Sequence, residues 1–162
     1  MCLLIAVFLI IKANPGLGLP KYSDLYPYLV DLKGWEASAP TGMNMSGPSG
    51  EIVNVERHYK KGEATLNVSI LSGVGAYSAW TPFSMGITLD SPDTFMKTLS
   101  IEGYPAGVNH NKKEGSGVVV VLISAAETNS VALVIDYKGI PPEDALSIAR
   151  QFPLKQIEGA FK

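Results

Sequence analysis

Two histidines, His58 and His110, are the side chains of this chain best suited to acid–base or metal chemistry. Glu56 lies two residues from His58, so on an extended strand the two share a face. A third ligand would have to come from Glu114, Asp136 or His110. Zinc sites draw His or Cys in ordered sets of three or four. The chain offers two His and one Cys, Cys2, so no metal centre is expected. A lone thiol also excludes an internal disulfide or a CxxC redox pair. Were His58, Glu56 and Asp136 to meet in one cleft with a serine, the set would suit a hydrolase.

Other spacings mimic catalytic motifs without completing them. Ser46-Gly47-Pro48-Ser49-Gly50 sets serines among glycines, but a hydrolase elbow needs strand, Ser and then helix. Here a strand follows. Gly73-Val74-Gly75 lacks the further glycines and the lysine of a phosphate loop. Asp90 with Asp93, and Glu143 with Asp144, precede apolar periodic stretches, where capping and the helix dipole account for carboxylates. No catalytic residue and no cofactor is therefore assigned. The aromatic stretch Tyr77-Ser78-Ala79-Trp80-Thr81-Pro82-Phe83 is different. Tyr and Trp are favoured at interfaces, and Tyr77, Trp80 and Phe83 are the candidate binding residues. Asn44-Met45-Ser46 and Asn67-Val68-Ser69 match the glycosylation acceptor pattern, with Asn44 the more accessible.

The elements that would position these residues follow from periodicity. Leu25, Leu29 and Leu32 predict a short helix closed by Gly34. Thr41 to Gly50 reads as a loop. Val53, Val55 and Tyr59, then Ala64, Leu66, Val68 and Ile70, alternate with polar residues around Lys60-Lys61-Gly62-Glu63, which predicts a hairpin. Ala76, Trp80, Phe83 and Ile87 have helical spacing, and Thr81-Pro82 suits a helix start, so a helix is expected over Pro82 to Leu89. Asp90-Ser91-Pro92-Asp93 predicts a second helical turn through Lys97. Leu99 to Asn109 reads as an irregular strand, forced to the sheet edge or into a bulge by Gly103, Pro105 and Gly107. Val118 to Ile123 and Val131 to Tyr137 are apolar on both sides, which predicts strands covered on both sides. Pro141 to Phe152 reads as the last full helix, and Leu154, Ile157 and Phe161 as one further amphipathic turn.

The 162 residues suffice for one domain, and 46% apolar with 17% charged residues permits a buried core. The net charge is −2. The Lys and Arg residues are scattered apart from Lys60-Lys61 and Lys112-Lys113, so no nucleic-acid footprint is present. Cys2 to Ile11 is an unbroken apolar run. It is shorter than the roughly 20 residues of a membrane span but fits the apolar core of a signal peptide. Residues 1–20 thus read as a signal peptide or membrane anchor with a Pro/Gly tether, and residues 21–162 as a single α+β domain outside the cytoplasm.

The element order, with Gly34-Trp35, Tyr59 and Gly103-Tyr104-Pro105-Ala106, resembles the Mog1/PsbP-like domain over most of residues 20–162. The resemblance implies an antiparallel sheet covered by helices on both faces, an α/β/α sandwich. It implies an accessory or binding role and no particular ligand, and it transfers no functional residue. The expected function is a non-catalytic binding domain, secreted or membrane-anchored, for a protein partner or a hydrophobic ligand. The alternative is a hydrolase-like enzyme with a site of scattered His, Glu, Asp and Ser.

Overall fold

The computed structural model describes residues 18–126 and 129–162. The apolar run and most of the tether lie outside them. The described chain runs α1 (Tyr22–Leu25), β1 (Glu36–Ala37), β2 (Thr41–Gly47), β3 (Gly50–Lys61), β4 (Ala64–Ser72), α2 (Val74–Trp80), β5 (Leu89–Asp90), β6 (Thr94–Ile101), β7 (Tyr104–Asn111), β8 (Ser116–Ser124), β9 (Val131–Lys138), α3 (Pro142–Ala149) and α4 (Leu154–Ala160). The strands form one antiparallel sheet in the order β1-β3-β4-β9-β8-β7-β6-β5, with β2 sharing the outer edge of β3 with β1. From β5 to β9 each strand pairs with the next along the chain. The one long crossing leads from β4 to β5 at the far edge. Five strand spacings separate these two, about 24 Å at the usual spacing, and α2 lies on this crossing.

One face of the sheet carries the main core. Val53, Val55, Tyr59, Leu66, Val68 and Ile70 pack there with Val119, Val121, Leu133 and Ile135. Leu25, Leu29 and Leu32 cover one end, and Ala145, Ile148, Leu154 and Ile157 of the C-terminal helices, with Phe152 between them, cover the rest. Arg57 fastens the lead-in segment to β3. Its guanidinium donates to the carbonyls of Ser38 (2.7 Å) and Leu29 (2.6 Å) and pairs with Asp31 at 2.8 Å. The Tyr59 hydroxyl donates to the Val30 carbonyl at 2.8 Å, and its burial pushes the phenol pKa up to about 12.

The second face is covered only where the crossing passes. Ala76 and Phe83 pack on Val120, Ala132 and Val134, with Val118 and Leu71 at the margin. This corrects the expected α/β/α sandwich. The helices span four, seven, eight and seven residues, too little to layer both sides of so wide a sheet. The fold is sheet-dominated. Strands β8 and β9 are apolar on both sides because they run under α2, not under a full helical layer.

Four local expectations are also corrected. Leu99 to Asn109 is not one edge strand: it holds the end of β6 and most of β7, joined by a turn at Glu102-Gly103, and β7 lies between β6 and β8. Thr41 to Gly50 is not a loop: β2 pairs residue for residue with β3, from Thr41 opposite Glu56 to Gly47 opposite Gly50. The helix falls at Val74–Trp80 instead of Pro82 to Leu89. Thr81–Phe83 tightens into a 3₁₀ turn, and Gly86 at φ +65° then turns the chain away. The helical turn expected through Lys97 is strand β6. The Ser91 hydroxyl accepts from the Thr94 amide at 3.0 Å, so its capping chemistry closes a turn into a strand.

Candidate functional site

The second face divides into two halves, one apolar and crossed by α2, the other polar and bare. Helix α2 starts at Gly73, whose φ of +65° suits glycine. A Cβ there would also stand 2.7 Å from Ile52 Cγ2, so the β4–α2 junction requires glycine twice over. At the other end the Thr81 hydroxyl donates to the Tyr77 carbonyl at 2.9 Å, and the chain tightens through Pro82. Phe83 then sits over Gly107 of β7. A Cβ at 107 would meet the Phe83 ring at 2.2 Å, so the missing side chain is the seat for the ring.

The three candidate aromatics therefore differ. Phe83 is core, 2% exposed. Trp80 is partly buried, tilted against Phe83 with ring centroids 5.9 Å apart. Tyr77 is open to solvent at 56% exposure. The same face carries other exposed apolar side chains that sequence reasoning missed. Val74 is 61% exposed, and Met43 and Met45 project from β2 on this same face. Met85, Ile87 and Leu89 extend the exposed apolar surface along the crossing toward β5. The alternation of Met43 with Met45 was the available signal for a strand face, obscured by the Gly and Ser around it.

The polar half gathers the acid–base candidates. His58, Asn67 and Asp136 stand opposite one another on adjacent strands β3, β4 and β9. Glu56 lies one step along the same face and accepts from the Asn67 amide at 3.4 Å. Partial burial pushes the Asp136 carboxyl above its ordinary value. The cluster lies on an open sheet, not in a cleft, and no hydrogen bond links His58 to Asp136 among the described contacts. His58 and Asp136 are two strands apart, about 10 Å at the usual spacing. Among the described residues no group of three or more His, Cys, Asp or Glu is placed to hold a metal.

His110 lies on the other face. Its ring stacks on Tyr137 with centroids 5.7 Å apart, and Nδ1 is 3.0 Å from the Tyr137 hydroxyl. Tyr137 reaches it across Gly117, where a Cβ would meet the hydroxyl at 2.5 Å. Burial raises the Tyr137 pKa.

The remaining motifs resolve as structure. Ser46 and Ser49 flank the β2–β3 turn. Asp90 and Asp93 pair with Lys112 and Lys113, tying the β7–β8 turn to the start of β6. Glu143 and Asp144 sit in the first turn of α3. Asn44 is tied within the fold: its side chain donates to the Pro20 carbonyl at 3.0 Å and accepts from the Tyr22 amide at 2.8 Å.

Comparison with known proteins found no matching family model, no matching curated protein and no matching solved structure.

Proposed function

We propose that this protein is a non-catalytic binding domain that presents the α2 side of its sheet to a protein partner. The observation that carries the reading is the exposure of Tyr77 and Val74 on α2, with Met43 and Met45 exposed on the same face of the sheet, whose other half is polar. Folding alone favours burying such side chains at about 25 cal/mol per Å² of apolar area. Exposed apolar surface with a polar margin suits protein contact. We place the domain outside the cytoplasm, secreted or anchored through residues 1–20, on the strength of the Cys2 to Ile11 run. The accessory role implied by the Mog1/PsbP-like resemblance belongs to this reading. The hydrolase-like alternative draws on His58, Glu56 and Asp136 sharing one face, and it lacks a nucleophile joined to them.

A photo-crosslinking residue placed at position 77, and separately at Glu63 in the β3–β4 turn, tests the reading in the native cell. A discrete crosslinked protein at 77 and not at 63 is expected, and it should vanish when Met43 and Met45 are both changed to Ser. No product at either site, or the same products at both, would refute it. Tyr77→Ser should leave the unfolding midpoint nearly unchanged, within about 0.5 kcal/mol, because an exposed side chain adds little to the fold.

A further inference from the structure

A second site lies away from the α2 face, at the end of the sheet where β3 turns into β4. The lead-in segment, the β3–β4 turn, the end of β9 and helix α3 enclose a cleft of about 450 Å³, within the range of small-molecule sites. Trp35 forms part of its wall and packs its inner side against the main core. Lys61 crosses over Gly34, and its ammonium stands 6.0 Å from the centre of the Trp35 ring. Lys33 lines the same cleft, with Ser147 of α3 and Gln151 just past the end of that helix.

Two features of the backbone keep the cleft open. Gly34 adopts φ +83°, which turns the chain so that Lys33 and Trp35 both reach the same space. Gly139 lies so close to β4 that a Cβ would come within 3.1 Å of Ala64 Cα, so the floor is drawn tight while the mouth stays clear. The charges are unequal. Asp144 is the one carboxylate on the lining, against Lys33 and Lys61. The ion pairs among the described residues use Arg57, Lys112, Lys113 and Lys162, and neither of these two lysines.

We propose that this cleft binds a small organic anion with a flat apolar body. The anionic group sits between the Lys33 and Lys61 ammonium groups, which supply charge-assisted hydrogen bonds. The flat body lies against Trp35, in the place the Lys61 ammonium holds over the ring, as that lysine turns to the anion. Ser147 and Gln151 offer polar groups to orient it. A purely apolar molecule leaves both ammonium groups without an anion and binds more weakly. An anion without a flat body forgoes Trp35.

The probe is 8-anilinonaphthalene-1-sulfonate, with uncharged N-phenyl-1-naphthylamine as its control. The chain has two tryptophans, so in full-length Trp80→Phe protein the fluorescence reports on Trp35 alone. The sulfonate should quench it saturably at one site, and the uncharged control should bind about tenfold more weakly. Replacing Lys33 and Lys61 together by Met should weaken the sulfonate about tenfold, with the far-ultraviolet dichroism unchanged. Tyr77→Ser should have no effect. Equal affinity for the two probes, quenching that survives the double lysine change, or quenching lost in Tyr77→Ser would each overturn the proposal. The partner surface on the α2 side stands or falls separately, by the crosslinking result.

Discussion

Asp136 and Tyr137 are neighbours in β9, yet Tyr137 is 3% exposed under the C-terminal helices while Asp136 stands on a bare sheet surface. The same contrast runs along β3, where Val53, Val55 and Tyr59 are buried and Asn54, Glu56 and His58 are not. On the first face the side chains are apolar from β3 to β8 and helices lie over them. On the second face the chain crosses once, and the side chains off that path are largely polar. The first face is where folding free energy is gathered, since each fully buried Val, Leu, Ile or Phe contributes about 1.5–3 kcal/mol. The second face holds side chains that folding does not need. Among the described residues, the buried side-chain oxygens without a hydrogen-bond partner, Asn54 Oδ1 and Asn67 Oδ1, both belong to it. Such an oxygen costs about 1–3 kcal/mol, a cost the well-packed first face can offset.

The largest expected effect lies on the first face. Phe152 is 2% exposed and meets Tyr59 edge-on, with centroids 6.5 Å apart. Phe152→Ala should destabilise the domain by about 3–5 kcal/mol, read as a lower urea midpoint with an unchanged slope. Since small domains have only about 5–15 kcal/mol of stability, this one change should bring the protein close to unfolding at 37 °C. A cost under about 1 kcal/mol would mean that the C-terminal helices contribute little, and the contrast between the faces would fail.

The second face should respond less, and locally. Gly107→Ala places a methyl where the Phe83 ring now lies. The ring must leave its seat, and the 3₁₀ turn must lift with it. Overpacking of this kind costs about 1–3 kcal/mol. Because Trp80 leans on Phe83, its emission should shift toward that of exposed indole while the secondary structure persists. An unchanged spectrum with full stability would show that the crossing rests on α2 alone.

How much of this was legible in the sequence depended on which face a residue serves. Alternation exposed β3 and β4, where Val53, Val55, Tyr59, Leu66, Val68 and Ile70 all point to the first face. It also exposed β8, β9 and α3. Strand β2 escaped because its first-face positions are Gly42, Asn44 and Ser46, which carry no apolar signal. A Cβ at Gly42 would meet Val55 at 2.6 Å, so close packing there demands the very residue that reads as loop. Strand β6 escaped because Ser91-Pro92-Asp93 is as good a start for a helix as for a turn. The full sandwich was expected because Val118, Val120, Ala132 and Val134 are apolar on the second face. Pattern alone does not tell a complete helical layer from one short helix laid across. The pairing of His58 with Glu56 on one face followed from their spacing, whereas the arrival of Asn67 and Asp136 beside them is a matter of strand register.

The smallest effect is electrostatic and separates the faces by sign. The Asp136 carboxyl has its pKa raised above the ordinary 3.8 by partial burial. Its charged form is thus less welcome in the folded protein than in the unfolded chain. Below 3.8 the group is protonated in both states, and its contribution to stability is fully present. As pH rises through the raised folded-state value that contribution is lost, because the native state holds a proton the unfolded chain has released. Asp136→Asn keeps the shape and removes the titration. The variant should gain stability on the wild type from pH 4 upward until the curves run parallel, as read by urea midpoints across that range. Asp136 is exposed as a whole residue, so solvent screens much of the effect, and the gain should stay below that of any core change. Were the variant instead less stable at neutral pH, the carboxylate would be held by a favourable charge in the polar half of the sheet.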